Sequence, residues 1–392
     1  MLKDSDILYM DYAASTPMRA EAVDAMLPFL KESFANPSGS HAAARSAKTA
    51  LEEAREQVAS ALGADSSEVI FTGGGTESDN LAVEGAARAA RAAGVGDGVV
   101  VGAFEHKAVL AAADRLEAEG FRVSRIGATS AGAIDLDSLA RALDANTVLV
   151  SVMMVNNEIG TIQPLDQVER IIAEHAPKAR LHTDAVQAVP WIDVAGAGAG
   201  ADLISISAHK FGGPKGVGAL IARRGVALEP LIEGGGQESG WRAGTVNVAG
   251  VVAMATALTI TVNNRAAEVA AVGALRDSLL TGLSSRIEGL VENGDREIKV
   301  AGNAHVAIVG VEAEVLLMAL DRVGVCAAAG SSCSSGATEP SHVLAAMGMS
   351  ESAARSSIRL SLGFASTKAD VDGALERIPA VVAQLRTQVG AA

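Results

Sequence analysis

The chain reads as an α/β protein, with a mostly parallel sheet in a large domain and a smaller α+β domain toward the C-terminus. Three observations carry this. Apolar runs of strand length alternate with helix-length amphipathic stretches from Glu68 to Lys210, the pattern that βαβ units produce. Polar residues with chemical potential gather just past the strand runs, where open parallel sheets bind their ligands. From about Asn263 the alternation gives way to a long helix, weaker strands near Lys299 to Val309, and further helices. This divides the chain into a large domain over 17–262 and a smaller one formed by 1–16 and 263–392.

The elements follow in order. After a lead-in from Tyr9 to Pro17, Glu21 to Leu30 has helical character and stops before the turn Asn36-Pro37-Ser38-Gly39. Ser40 is a suitable N-cap for a second helix, with Leu51, Ala54, Val58 and Leu62 on one face and Gly63 as its stop. A short strand over Glu68 to Thr72 runs into Gly73-Gly74-Gly75-Thr76 and a helix that continues to about Gly94. Such a turn presents backbone N–H groups and the Thr76 hydroxyl at a helix N-terminus, a setting for phosphate. Taken alone, it serves equally as a tight turn, and no Walker lysine follows. Strands over Val99 to Phe104, Phe121 to Ile126, Thr147 to Val155 and Arg180 to Thr183 alternate with helices over Lys107 to Glu119, from Asp135, and over Leu165 to His175. The series ends on the strand Leu203 to Ser207, which delivers His209 and Lys210 into a glycine-rich turn.

Composition narrows the function. The 392 residues are 49% apolar and 20% charged, with a formal charge of −14 spread in interleaved signs. That argues against a dedicated nucleic-acid surface. No apolar run is long enough to span a bilayer, and the N-terminus lacks a signal-peptide pattern, so a cytoplasmic protein is expected. The two cysteines, Cys326 and Cys333, are too few for a metal site of usual spacing and point to packing or reactivity.

Lys210 at the end of a buried strand is placed where burial favours the neutral amine, the form that bonds a cofactor aldehyde as a Schiff base. Asp184 ends a neighbouring strand, and a buried carboxylate against a pyridine nitrogen keeps that nitrogen protonated, as an electron sink requires. An acid, a lysine and a phosphate cradle together describe pyridoxal 5'-phosphate. Each residue also has an ordinary reading as a cap, a turn polar group or a solvated side chain.

The ordered blocks extend further: Tyr9-Met-Asp-Tyr-Ala-Ala-Ser-Thr-Pro17, Gly75-Thr-Glu-Ser-Asp-Asn-Leu81, Glu105-His-Lys-Ala-Val-Leu110, Val155-Asn-Asn-Glu-Ile-Gly160, His182-Thr-Asp-Ala-Val-Gln187, Ala208-His-Lys210, Arg242-Ala-Gly-Thr245, Gly330-Ser-Ser-Cys333 and Ser357-Ile-Arg-Leu-Ser-Leu-Gly363. With these, the chain resembles the cysteine desulfurases, a branch of the fold-type I pyridoxal-phosphate enzymes similar to class V aminotransferases. The resemblance implies a seven-stranded, mostly parallel sheet, L-cysteine as substrate and a homodimer. Lys210 would carry the cofactor and move protons, and His106 would stack on the ring and assist those transfers. Asp184 would pair with the ring nitrogen and Gln187 with the ring hydroxyl. Gly75, Thr76, Ser207 and His209 would form the phosphate site, with Thr245 reaching the phosphate of the neighbouring subunit. Asn157 and Arg359 would hold the substrate carboxylate.

Cys333 lies among small residues that suit a moving arm better than a core. By the same resemblance its thiolate takes the substrate sulfur as a persulfide, leaving alanine. The persulfide then passes to an acceptor protein, such as an iron–sulfur scaffold or a tRNA-thiolation enzyme. A selenocysteine lyase or an aminotransferase of the same fold is the alternative.

Overall fold

The structure is a computed structural model that describes residues 7–330 and 340–390. The lead-in holds a two-residue strand, β1 (Leu8–Tyr9), and is followed by helices α1 (Ala20–Lys31) and α2 (Ala42–Ala61). The cap of α2 is His41, not Ser40: its Nδ1 accepts from the Ala44 N–H at 3.2 Å. The imidazole lone pair does here what a hydroxyl does in most N-caps.

Next come β2 (Val69–Thr72), α3 (Gly75–Asn80), a π-turn over Leu81–Gly85 and α4 (Ala86–Ala92), together one continuous helical rod leaving the glycine turn. The alternation then runs β3 (Gly98–Gly102), α5 (Lys107–Ala118), β4 (Arg122–Ile126), α6 (Leu136–Ala142), β5 (Thr147–Ser151), α7 (Leu165–His175), β6 (Arg180–Asp184), the short α8 (Val194–Ala197) and β7 (Leu203–Ser207). A hairpin partner, β8 (Gly218–Ala222), follows the lysine turn.

These strands build one seven-stranded sheet in the order β2-β8-β7-β6-β5-β3-β4. Only β8 is reversed, antiparallel to both β2 and β7, while the other pairs are parallel. The carboxyl ends of β2, β3, β5, β6 and β7 therefore open on one side. The strands β3, β5, β7 and β8 are buried at every position, which is why they read as continuous apolar runs instead of alternating ones.

The helix expected from Asn263 begins fifteen residues earlier, as α9 (Val248–Ser284), a single 37-residue helix. Its first half packs Val251, Met254 and Leu258 into the sheet core, and its second half packs Val272, Leu279 and Leu283 into a separate core. One helix serving two cores presents no single apolar face, so helical periodicity is weak along its length.

The second core is built on β9 (Leu290–Glu292), β10 (Asn303–Ile308), α10 (Ala313–Arg322), β11 (Val325–Cys326), α11 (His342–Ala346), α12 (Glu351–Arg355), β12 (Ser357–Ser361) and α13 (Lys368–Gly390). Its antiparallel sheet has the order β12-β10-β9. The first strand returns to it: β1 lies parallel to β11 in the register Leu8 to Val325, and Leu8 and Met10 join that core.

Candidate active site

A cavity of about 210 Å³ opens at the carboxyl ends of the strands. Its wall contains Gly75, Thr76, His106, Asn157, Asp184, Gln187, Ser207, His209, Lys210 and Arg359. Residues from α3, β6, β7, β12 and the turns after β3 and β5 thus meet in one place. Of the residues singled out in the sequence, Thr245 is exposed and does not line this cavity, and Cys333 lies outside the described residues.

Lys210 sits in a single 3₁₀ turn directly after β7. Its Nζ donates to the carbonyls of Ala13 at 2.6 Å and Ala14 at 2.8 Å. Gln187 Nε2 donates to the same Ala13 carbonyl at 2.7 Å. The lead-in strap thus aims the amine across the cavity, a role that backbone carbonyls play without any side-chain signature in the sequence.

Asp184 ends β6 and is 4% exposed. Its Oδ1 accepts from the Val186 N–H at 2.8 Å. Burial raises its pKa, and the neighbouring His106 and Lys210 draw it back toward the charged form. His106 caps α5 by accepting the Ala108 N–H on Nδ1 at 3.2 Å, which leaves the proton of the neutral ring on Nε2. Burial lowers its pKa, opposed by Asp184 and reinforced by Lys210. The ring is therefore neutral at physiological pH, suited to stacking and to passing a proton at Nε2.

At the glycine turn, Gly74 has φ 143°, a backbone region that only glycine adopts readily. A Cβ on Gly75 would stand 2.8 Å from Val186 Cγ2, so the close approach of α3 to the β6 turn requires glycine. Ser207 at the end of β7 and Thr76 in the first turn of α3 bring hydroxyls to the same corner. His209 bonds the Ser15 hydroxyl through Nδ1 at 3.3 Å, and burial lowers its pKa to about 4. As a neutral ring it donates hydrogen bonds without adding charge.

Arg359 on β12 is 1% exposed. Its Nη1 donates to the Asn157 carbonyl at 2.6 Å and its Nη2 to Asp11 Oδ1 at 2.7 Å, while its Nε and the Asn157 Oδ1 have no protein partner. Unpaired buried polar atoms on a cavity wall are groups awaiting a polar ligand. The acidic Asp11 and the carbonyl orient the guanidinium toward that ligand.

The lining fits pyridoxal phosphate. It has a helix N-terminus with hydroxyls and a space only glycine leaves open, an acid and an imidazole for the ring, and an amine aimed at the centre. Sequence reasoning missed Asp11, Asp79, Glu105, His182 and Ser205, all close to this cavity. For His182 and Ser205 the legible signal was a polar residue inside an otherwise apolar strand, as in Leu181-His182-Thr183; Asp11, Asp79 and Glu105 carried none.

Glu158 follows Asn157 in the chain and is 1% exposed. Ser341 donates to its carboxylate, and a Cβ on Gly330 would lie 2.9 Å from Glu158 Oε2. Both flanks of the segment that carries Cys333 therefore converge beside Asn157. Cys326, the other cysteine, is half-buried on β11, where burial raises its thiol pKa, so it stays protonated and unreactive.

The chain is similar over nearly its whole length to known proteins. The family model described as aminotransferase class-V matches residues 8–373. A cysteine desulfurase IscS from Dictyoglomus turgidum is 44% identical over 380 residues, covering 97% of this chain and 95% of that relative. The solved structure of a NifS-like protein superposes with a TM-score of 0.91 at 34% identity, over 97% of this chain and all of that one. A structure described as SspA in complex with cysteine gives a TM-score of 0.80 at 32% identity, over 92% of this chain and 99% of that one.

Proposed function

The chain belongs to the class-V aminotransferase family, and on that premise we propose that it is a pyridoxal-phosphate-dependent cysteine desulfurase. It converts L-cysteine to L-alanine with transfer of the sulfur to an enzyme thiol. The observation that carries this reading is the convergence of Lys210, Asp184, His106 and the Gly75 turn on one cavity that Arg359 closes from the second core. The relatives named cysteine desulfurase cover nearly the whole chain.

Bound pyridoxal phosphate supplies an electron sink conjugated to the substrate amine. Arg359 and Asn157 orient the substrate carboxylate, the planar guanidinium matching its two oxygens. Lys210, held by the Ala13 and Ala14 carbonyls, carries protons to and from the substrate Cα, and His106 holds one at Nε2 for transfer nearby. The Cys333 thiolate attacks the substrate sulfur, forming an S–S bond as the C–S bond breaks. The electron pair stays with the carbon, which takes a proton to become the methyl group of alanine, and the enzyme is left as a persulfide.

Convergence of both flanks of the Cys333 segment on Glu158 supports this assignment of the thiol. A homodimer is proposed as well, supported by the exposed apolar residues Leu30 and Phe34, which are 57% and 78% exposed, and by the outward position of Thr245 away from its own cavity. The persulfide passes to an acceptor protein, an iron–sulfur scaffold or a tRNA-thiolation enzyme. A cytoplasmic location accords with the finding that, among the described residues, no helix is long and apolar enough to cross a membrane.

The test is incubation with L-cysteine and a thiol reductant, following alanine, sulfide and the visible absorption of the cofactor. Equal yields of alanine and sulfide are expected. Cys333→Ala should keep the absorption and lose sulfide release; sulfide at the native rate from that variant would overturn the thiol assignment.

A further inference from the structure

The turn that carries Lys210 is also gripped from outside the cofactor cavity. Thr16 donates its N–H and its Oγ1 to the His209 carbonyl, both at 3.0 Å, and its Oγ1 accepts the Gly212 N–H at 2.9 Å. Arg19, the N-cap of α1, takes the carbonyls that follow. Its N–H donates to Gly212 at 2.9 Å and its Nε to Phe211 at 3.3 Å. Thr261 Oγ1 on α9 donates to the same Phe211 carbonyl at 3.0 Å. Gly212 has φ 89°, and a Cβ there would stand 2.6 Å from Arg19 Cγ, so the arginine stem lies where only glycine leaves room.

The far end of Arg19 reaches the second core. The side chain is 8% exposed, and its Nη1 and Nη2 donate to Glu268 Oε1 and Oε2 at 3.0 and 2.9 Å, a two-pronged ion pair. Glu268 stands on α9 between the stretch packed on the sheet core and the stretch packed on the second core. The guanidinium carbon also lies 4.0 Å from the centre of the Phe364 ring, just beyond β12, the strand that carries Arg359. Arg19, Phe211, Glu268 and Phe364 line a space of about 30 Å³ beside Lys210, room for about two waters. There is little slack among them.

We propose that Arg19 is a positioning residue that sets Lys210 against Arg359. These two groups act on one substrate from different cores: Arg359 holds the carboxylate while Lys210 moves the proton at Cα. A misplacement of about 1 Å between reacting groups can cost on the order of a hundredfold in rate. One side chain that touches the lysine turn, the shared helix and the end of β12 fixes that spacing. The proposal rests on the reading that Lys210 carries the Cα proton.

L-Alanine, the product, tests the proton step without the thiol, because a step that adds its Cα hydrogen can also remove it. With the loaded full-length protein in D2O, NMR follows loss of that hydrogen. Arg19→Lys keeps a cation for Glu268 but loses the Nε–H for Phe211 and the plane that stacks on Phe364. It should slow the exchange by roughly tenfold at saturating alanine. The half-saturating concentration should stay within about twofold of native, because Arg359 and Asn157 are untouched. Phe364→Leu, which removes the ring and keeps an apolar side chain, should slow exchange by roughly threefold. Both variants should keep the visible absorption of the cofactor. In the cofactor-free protein, backbone amide exchange over residues 209–213 should speed up in both.

A native rate per bound cofactor in Arg19→Lys would overturn the proposal, even with a lowered unfolding midpoint, because Arg19 would then serve stability alone. An effect confined to the half-saturating concentration would overturn it too. So would native alanine exchange in Phe364→Leu, the variant that decides the matter if Arg19→Lys does not fold. Failure of the underlying reading looks different: Lys210→Ala, loaded with cofactor, would exchange the alanine hydrogen at the native rate.

Discussion

Arg359 heads the fully buried side chains of the chain by size, and its burial is what gives it discriminating power. A lysine could satisfy either Asp11 or the Asn157 carbonyl, but it has no planar fork with which to hold both and still face a carboxylate. Arg359→Lys should therefore raise the KM for L-cysteine by about tenfold or more, near 1.4 kcal/mol, with a smaller effect on kcat. Steady-state kinetics checks this, and an unchanged KM would reduce Arg359 to a structural tie between the second core and Asp11. At this scale the sequence was informative where a residue type is rare in its setting, as with Lys210 and Asp184 at strand ends. It was silent where the partner is a backbone carbonyl, as with Ala13 and Ala14, or where a buried polar residue follows no spacing rule, as with Asp79 and Glu105.

Among the elements, the segment between β8 and α9 holds the most backbone strain. Glu238 and Ser239 have φ values of 46° and 57°, a left-handed conformation that costs non-glycine residues about 1–3 kcal/mol each. The Glu238 carboxylate offsets this. It accepts from Arg55 Nη1 at 2.8 Å and Nη2 at 2.7 Å and from the Phe71 N–H at 2.8 Å, with Arg55 also stacked over the Phe71 ring. A second tie, Arg242 Nε to Glu77 Oε1 at 2.8 Å, joins the same segment to the first turn of α3. Glu238→Gln removes the carboxylate that grips both Nη atoms of Arg55, leaving Glu52 at 3.1 Å from its Nε as the remaining counter-charge, and should destabilise the protein by about 1.5–3 kcal/mol, whereas Ser239→Gly should be neutral or stabilising. Urea melts of the two variants check this, and equal midpoints would show that the tie carries no strain. Helices with one apolar face, such as α5 and α7, were legible to within a residue or two. The reversed β8 was not, because a short Gly-Ala-Leu-Ile-Ala run after a glycine turn carries no period. The start of α9 was missed because a helix buried in two cores looks apolar on every side.

For the whole molecule, buried titratable groups set how stability depends on pH. Burial holds His182 and His305 at about 3 and His209 at about 4, all below the ordinary 6.5. Below about pH 6.5 the unfolded chain takes up protons that these folded rings refuse, so stability falls as the solution is acidified. Buried Asp79 and Glu105 are raised. They act in the opposite sense: above about pH 4.5 the unfolded acids ionise while the folded ones do not, and stability falls as pH rises. His106, also lowered by burial, adds to the first group. Unfolding free energy of the cofactor-free protein should rise with pH toward about pH 6.5 and then decline. Denaturant melts across that range check the shape, and a profile that keeps rising above pH 7 would contradict it. The return of β1 to β11 has a consequence for biosynthesis. The strap that aims Lys210 is tied down through residues such as Ser361, whose Oγ accepts from the Ala13 N–H across 348 positions of sequence. On the ribosome the strap must wait for the β12 residues, made long after it, before this tie can close, so a nascent chain stalled before β11 would have its sheet without the clamp that fixes the strap over the lysine.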